Sequence, residues 1–246
     1  LTILDVTDPT GPYPVGNWSV DEGNVTDLAV YGGIAYIIYT SDSFSGLYTI
    51  NISDRTDPQA YGGCLAYSPR DVAISYSDDP FPHVDYAYIA SEDSFRILNV
   101  QDFYWPYEIA VVGADHDKYY SVGIREGLAY LGGLELEIFD ISEPFSPVSL
   151  GSCGTELIED ITFSGDFICG AGGNYITTVD VANAEAPEVY EACHGYREEV
   201  SGIALSGAYA YIADLDDGLS VFELNIPQST DADDETPRYG DFLSQN

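Results

Sequence analysis

The chain reads as an all-β protein, a β-propeller of four-stranded antiparallel blades, and three observations predict it. A six-residue strand pattern recurs six times, its copies 40 to 48 residues apart. Three other strand-like segments of fixed character lie between successive copies. All of these segments are short apolar runs or alternate with period two, and none carries the 3.6-residue period of an amphipathic helix. Four short strands per module, at a period near 44 residues, are the mark of a propeller.

The recurring pattern is large apolar, any residue, apolar or Thr, apolar, acid or amide, apolar. Its copies are Leu1 to Val6, Leu47 to Ile52, Phe95 to Val100, Leu136 to Ile141, Ile176 to Val181 and Leu219 to Leu224. This is the third strand of each blade, and its acid or amide stands where the chain turns into a loop marked by proline, at Pro9, Pro58, Pro106, Pro144 and Pro187. The first strand reads large, small, large, as in Leu28-Ala29-Val30 and Ile203-Ala204-Leu205. A small middle residue suits the innermost strand, where neighbouring blades crowd closest. The second strand pairs Ala with Tyr, as in Ala35-Tyr36-Ile37 and Ala129-Tyr130-Leu131, with Cys169 at the tyrosine position of one repeat. The fourth and outermost strand follows the proline loop, as in Tyr13 to Trp18 and Val148 to Cys153; proline just before an outer strand removes no ladder donor.

The third strand Leu1-Thr2-Ile3-Leu4-Asp5-Val6 followed by Asp8-Pro9 resembles the motif that names the LVIVD-repeat family. Arg70-Asp71-Val72-Ala73-Ile74 and Ser206-Gly207-Ala208-Tyr209-Ala210-Tyr211-Ile212-Ala213-Asp214 resemble its first and second strands. The resemblance implies a propeller over residues 1–226 and a secreted or cell-surface protein, and it brings no catalytic residues. Residues 227–246, with Asp231-Ala232-Asp233-Asp234-Glu235, match nothing in this repeat and read as an acidic, solvated tail.

Strand counting gives five first, five second, six third and five fourth strands. That predicts five blades, or six if upstream sequence is missing, closed by mixing the N-terminal strand Tyr13 to Trp18 into the last blade beside Leu219 to Leu224. The surplus third strand offers an edge for assembly with copies of the same chain. The absence of Met and the opening inside a strand pattern suggest a processed product or fragment.

Charge excludes some partners. Against 42 acidic residues stand 7 basic ones, a formal net charge of −35. Such a surface repels a phosphate backbone, so nucleic acid is not expected as a partner. The expected partners are a protein or glycan at the cell surface. No apolar run approaches the length of a membrane-spanning helix, so membrane insertion is not expected either.

No catalytic motif is present, so no catalytic residues are assigned. Asp115-His116-Asp117 and His194 occupy equivalent crossovers between blades and are the candidate metal ligands; with nearby carboxylates they define the alternative function, a metal-dependent hydrolase with a loop-built site. Asp214 and Asp216 alternate ahead of Gly218 in a hairpin and are the candidate calcium ligands. Asn17, Asn24 and Asn51 begin Asn-x-Ser/Thr sequences and are candidate glycosylation sites, although Asn51 also fills the turn position of the repeat. Cys64, Cys153 and Cys193 share one repeat position on different blades, too far apart to bridge, and Cys169 sits on a second strand, so no disulfide is expected and buried thiols are. The leading expectation is a non-catalytic extracellular propeller serving as a recognition or structural assembly module.

Overall fold

A computed structural model describes residues 1–20, 23–42, 44–76, 84–113, 118–194, 200–214 and 218–224. Among these residues there are strands and no helix. The chain divides into two units, Leu1–Ala114 and Asp115–Asn246.

The first unit opens with β1 (Thr2–Asp5) and β2 (Tyr13–Asn17), an antiparallel pair forming its own sheet. Two complete blades follow. One is β3 (Asn24–Tyr31), β4 (Ile34–Thr40), β5 (Ser45–Asn51) and β6 (Gln59–Leu65); the other is β7 (Pro69–Tyr76), β8 (Val84–Ser91), β9 (Ser94–Asn99) and β10 (Tyr107–Gly113). The second unit holds β11 (Ser121–Arg125), β12 (Leu128–Gly132), β13 (Glu135–Asp140) and β14 (Val148–Gly154), then β15 (Asp160–Ser164), β16 (Phe167–Gly172), β17 (Tyr175–Asp180) and β18 (Glu188–His194). It ends with the three-stranded sheet β19 (Val200–Ser206), β20 (Tyr209–Asp214) and β21 (Gly218–Glu223). Every third strand named from the sequence is found, as are the first, second and fourth, and the five sheets that begin with a first strand are the blades of a β-propeller.

Burial follows strand order. The second strands β4 and β16 are buried almost end to end, whereas the outer strands β6, β10 and β14 alternate exposed and half-buried residues. Adjacent blades share cores within each unit: Leu47 and Ile38 pack with Val72 and Ile89 in the first, and Ile138 with Ile161 and Ile168 in the second. The small middle residue of the first strand and the Ala-Tyr alternation are therefore packing requirements of the inner strands.

The predicted closure is corrected by the strand pairing. Among the described residues β2 pairs with β1, and the last sheet, β19-β20-β21, contains no N-terminal strand. The reason lies in what the hairpin already binds. Leu1 and Trp18 exchange main-chain bonds of 2.9 Å, both side chains pack against the core of β3–β6, and the Trp18 ring meets Tyr48 edge-on at 5.7 Å. A Cβ on Gly16 would collide with the main-chain oxygen of Arg55. The hairpin thus sits against β3–β6 as an ordinary outer strand sits against the next blade.

Two devices repeat in the β1–β2 sheet and in the four four-stranded blades. First, each fourth strand has a bulge at its third residue, where Val15, Tyr61, Ile109, Leu150 and Tyr190 are skipped in the ladder. A bulge bends its strand and re-aims the residue after it. That residue is Gly16, Gly62 and Gly151 in three of these sheets, and Gly62 and Gly151 each press against turn carbonyls of the neighbouring blade. Second, the loop between third and fourth strands is built from side-chain-capped turns. Asp5, Asn51, Asn99, Asp140 and Asp180 each accept the amide two residues on, at 2.9 to 3.2 Å. Three residues later Asp8, Asp54, Asp102 and Asn183 do the same at 3.0 to 3.2 Å. Such short polar side chains satisfy backbone donors that the turn would leave unpaired.

Candidate functional site

Several expected site residues lie outside the described residues: Asp115, His116, Asp117 and Asp216. Only the backbone of His194 and Asp214 is described, at the ends of β18 and β20. Among the described residues no group of three or more His, Cys, Asp or Glu side chains is placed to hold a metal.

The candidate glycosylation sites differ from one another. Asn17 and Asn24 are exposed at strand ends. Asn51 is half-buried and doubly committed: its Oδ1 accepts the Ser53 amide at 2.9 Å, and its Nδ2 donates to the Tyr61 hydroxyl.

The four cysteines are unbridged. Burial pushes the Cys169 thiol up to about 12 and the Cys153 thiol up to about 11, the latter with help from the Glu135 charge. Burial likewise raises Cys64 and Cys193. All four are thiols at neutral pH, unlike the thiolate that a catalytic cysteine needs. The expectation of burial fails at Cys193, which is exposed. Cys64 lies against Glu108 of β10, the outer strand of the next blade; among the described residues, the sheet that follows β18 has three strands.

Buried charge converges at one place in the first unit. Arg96 on β9, a tenth exposed, donates from Nη1 to Glu108 Oε2 at 2.7 Å and lies 3.6 Å from Asp93, and its guanidinium is 5.5 Å from the Tyr67 ring. Two carboxylates of its own blade neutralise this arginine, which makes it a strut within that blade and a poor anion receptor. Arg125 is spent similarly, donating to the Gly165 carbonyl and covering Phe163 at 5.6 Å.

A second strut, which sequence reasoning missed, joins first strands. Asp27 Oδ2 accepts the Val72 amide at 3.0 Å, and Asp160 Oδ2 accepts the Ile203 amide at 2.8 Å. The signal was present as an acid directly before the large-small-large strand, at Asp27, Asp71 and Asp160.

The surface best suited to a partner is aromatic. Trp105 is 78% exposed, Tyr107 54% and Tyr104 48%. Tyr61 supports Tyr104, its ring stacking on Phe103 at 5.2 Å and tilting on Tyr104 at 4.5 Å. The turn that displays Trp105 is fixed by Asp102, whose side chain takes the Tyr104 amide and whose carbonyl takes the Trp105 amide, both at 3.0 Å. At the same turn positions other blades carry Arg55-Thr56-Asp57 or Ala184-Glu185-Ala186, so the aromatics are not demanded by the fold. By contrast Tyr39, Phe44 and Tyr48 stack on one another at 5.1 to 5.6 Å and leave no gap for a guest between them.

The comparisons agree with this architecture. Among solved structures, a protein from Lactobacillus plantarum superposes with a TM-score of 0.73 at 14% identity, covering 90% of this chain and 76% of that one. A structure provisionally assigned as a 6-phosphogluconolactonase from Bacteroides uniformis gives 0.72 at 13% identity, covering 87% and 71%. A functionally unknown protein from Desulfotomaculum acetoxidans gives 0.68 at 18% identity, covering 86% and 69%. At such identities these likenesses show the fold alone. No curated protein matches the sequence. The LVIVD repeat model matches residues 22–65, 119–155, 158–194 and 199–222, more than half of the chain, and the chain therefore belongs to the LVIVD-repeat family.

Proposed function

We propose that this propeller is a non-catalytic recognition or structural assembly module that works outside the cell or at its surface. The observation that carries the reading is the exposed aromatic group Tyr104, Trp105 and Tyr107, held on a turn whose geometry Asp102 fixes. Aromatic side chains on a rigid support give large contact area at low entropic cost and are the commonest anchors of protein and glycan recognition. The net charge of −35 supports a cationic or neutral partner over nucleic acid. Four thiols held protonated support a binding role over cysteine chemistry.

The test compares the purified protein with its Trp105→Ala/Tyr107→Ala variant on a glycan array and by sedimentation over a concentration series. Glycan binding or self-association that the variant loses supports the proposal, and binding that the variant keeps removes these residues from it. Metal analysis decides the rival reading. Stoichiometric zinc, manganese or iron, with a hydrolytic activity abolished by chelation, would establish a metal-dependent hydrolase instead. The location is tested at the gene: no export signal upstream of Leu1 would overturn it.

A further inference from the structure

The aromatic turn of the second complete blade reaches the outer strand of the first, and two phenols meet there. Tyr61 stands half-buried at the bulge of β6, and Tyr104 is 48% exposed in the turn before β10. Their ring centroids lie 4.5 Å apart, with the planes tilted by 34°. The two hydroxyls also share a hydrogen bond, which raises Tyr104 above the usual phenol value. The surroundings hold both rings in place. Asn51 Nδ2 donates to the Tyr61 hydroxyl, Phe103 stacks on Tyr61 at 5.2 Å, and Thr49 Oγ1 donates to the Phe103 carbonyl at 2.5 Å.

The repeat does not require this pair. The same two positions hold Val15 with Thr56 and Leu150 with Glu185 at other joints between blades. The four cysteines are unbridged, so no disulfide ties one blade to the next. Two aromatic rings joined by one carbon–carbon bond keep their centroids near the separation seen here, with twisted planes. Coupling Tyr61 to Tyr104 therefore asks mainly that the rings turn, and leaves the two blades where they are.

We propose that Tyr61 and Tyr104 are a site of oxidative cross-linking, at which a dityrosine bond staples the first two complete blades together. One-electron oxidation takes an electron and a proton from each hydroxyl. The two phenoxyl radicals then bond through carbons ortho to the hydroxyls. The hydrogen on each of those carbons moves to the oxygen, which restores two phenols. The pair has lost two electrons and two protons, and hydrogen peroxide, acting through a haem peroxidase, takes them up to become two waters. The new bond closes a loop from residue 61 to residue 104, and such a loop restricts the unfolded chain as a disulfide does. This staple stands whether or not the turn also binds a partner.

Treating the full chain, at high dilution, with peroxidase and hydrogen peroxide tests this. The expected product is a monomer lighter by two hydrogens that shows dityrosine fluorescence and yields the Tyr61 peptide joined to the Tyr104 peptide on digestion. It should melt about 5–15 °C above the untreated protein. Tyr61→Phe and Tyr104→Phe, which keep the rings and remove a hydroxyl, should each abolish the monomeric cross-link. Tyr190→Phe, which alters the half-exposed tyrosine at the same bulge of β18, should leave it unchanged. Coupling of the buried stacked pair Tyr39 and Tyr48 in its place overturns the proposal, as do products that join only separate molecules and fade on dilution. So does a Tyr104→Phe variant that cross-links as well as the wild type, or a cross-linked monomer that melts no higher than the untreated protein.

Discussion

Replacing Gly62 by alanine isolates the contact on which blade stacking in the first unit depends. A Cβ at this position would stand 2.7 Å from the carbonyl carbon of Tyr104 and 2.8 Å from the carbonyl oxygen of Phe103, and closer still to the Tyr104 oxygen. These are main-chain atoms of a turn fixed by two bonds to Asp102, so no side chain can swing aside to relieve the clash. Relief requires the blades to part by several tenths of an ångström, and overpacking of this kind costs about 1–3 kcal/mol. At roughly 2–4 °C per kcal/mol for a domain of this size, the first melting transition should fall by about 4–8 °C for a cost near 2 kcal/mol. Gly113 supplies the control. It ends β10, its φ is not in the left-handed region, and a Cβ there meets no atom within 4 Å, so Gly113→Ala should be neutral or stabilise by up to about 1 kcal/mol through the chain entropy that glycine loses on folding. Calorimetry at fixed ionic strength reads both variants. If Gly62→Ala melts within about 1 °C of wild type, or both variants melt alike, the close approach of these two blades is not what the bulge and its glycine serve.

Asp160→Ala should cost about 1–3 kcal/mol in chemical denaturation because it leaves the Ile203 amide without its partner, while Asp160→Asn, which keeps an acceptor, should cost much less. Asp140 has its carboxyl held below the usual 3.8 by bonds from the Ser142 hydroxyl and amide. The stability this charge contributes is complete above that value and disappears as pH falls through the lower folded value. The difference between wild type and Asp140→Asn in a pH series should therefore be flat above about pH 4 and shrink below it. Raising sodium chloride from 0.1 to 1 M shortens the screening length from about 10 to about 3 Å, so a chain of net charge −35 should melt higher in the stronger salt; an unchanged or lower melting point would mean that self-repulsion does not limit its stability.

The strands and their order were legible because each carries its own composition, and composition follows from depth in the blade. Ala35-Tyr36-Ile37 reads as a second strand because both of its faces are buried; Leu47 to Ile52 reads as a third because an Asx turn must follow it. Pairing between distant strands was not legible, because β2 satisfies the requirements of an outer strand equally well beside β1 or beside β21. What decides is the anchoring of Leu1 and Trp18 under β3–β6, a matter of packing that no local pattern announces. The aromatic surface was missed for a similar reason. Tyr104 and Trp105 occupy turn positions where the repeat is tolerant, so the repeat reading passed over them as variation. The exposure of Cys193 was missed because repeat equivalence assumes that every blade has the same neighbours.

The acidity of the chain is partly architectural. Asp5, Asp140 and Asp180 cap the turn after a third strand, Asp8, Asp54 and Asp102 cap the turn three residues on, and Asp27 and Asp160 join first strands of adjacent blades. Asn51 and Asn183 fill the same capping positions without charge, which shows that the turns need an acceptor and do not need an anion. A carboxylate already bonded to one or two backbone amides has less capacity left for a ligand cation, so these repeated acids are the wrong place to look for a binding face. The basic residues are committed in the same way. Arg70 and Arg96 are paired with carboxylates and Arg125 with a carbonyl, so three of the seven basic residues are already committed within the fold.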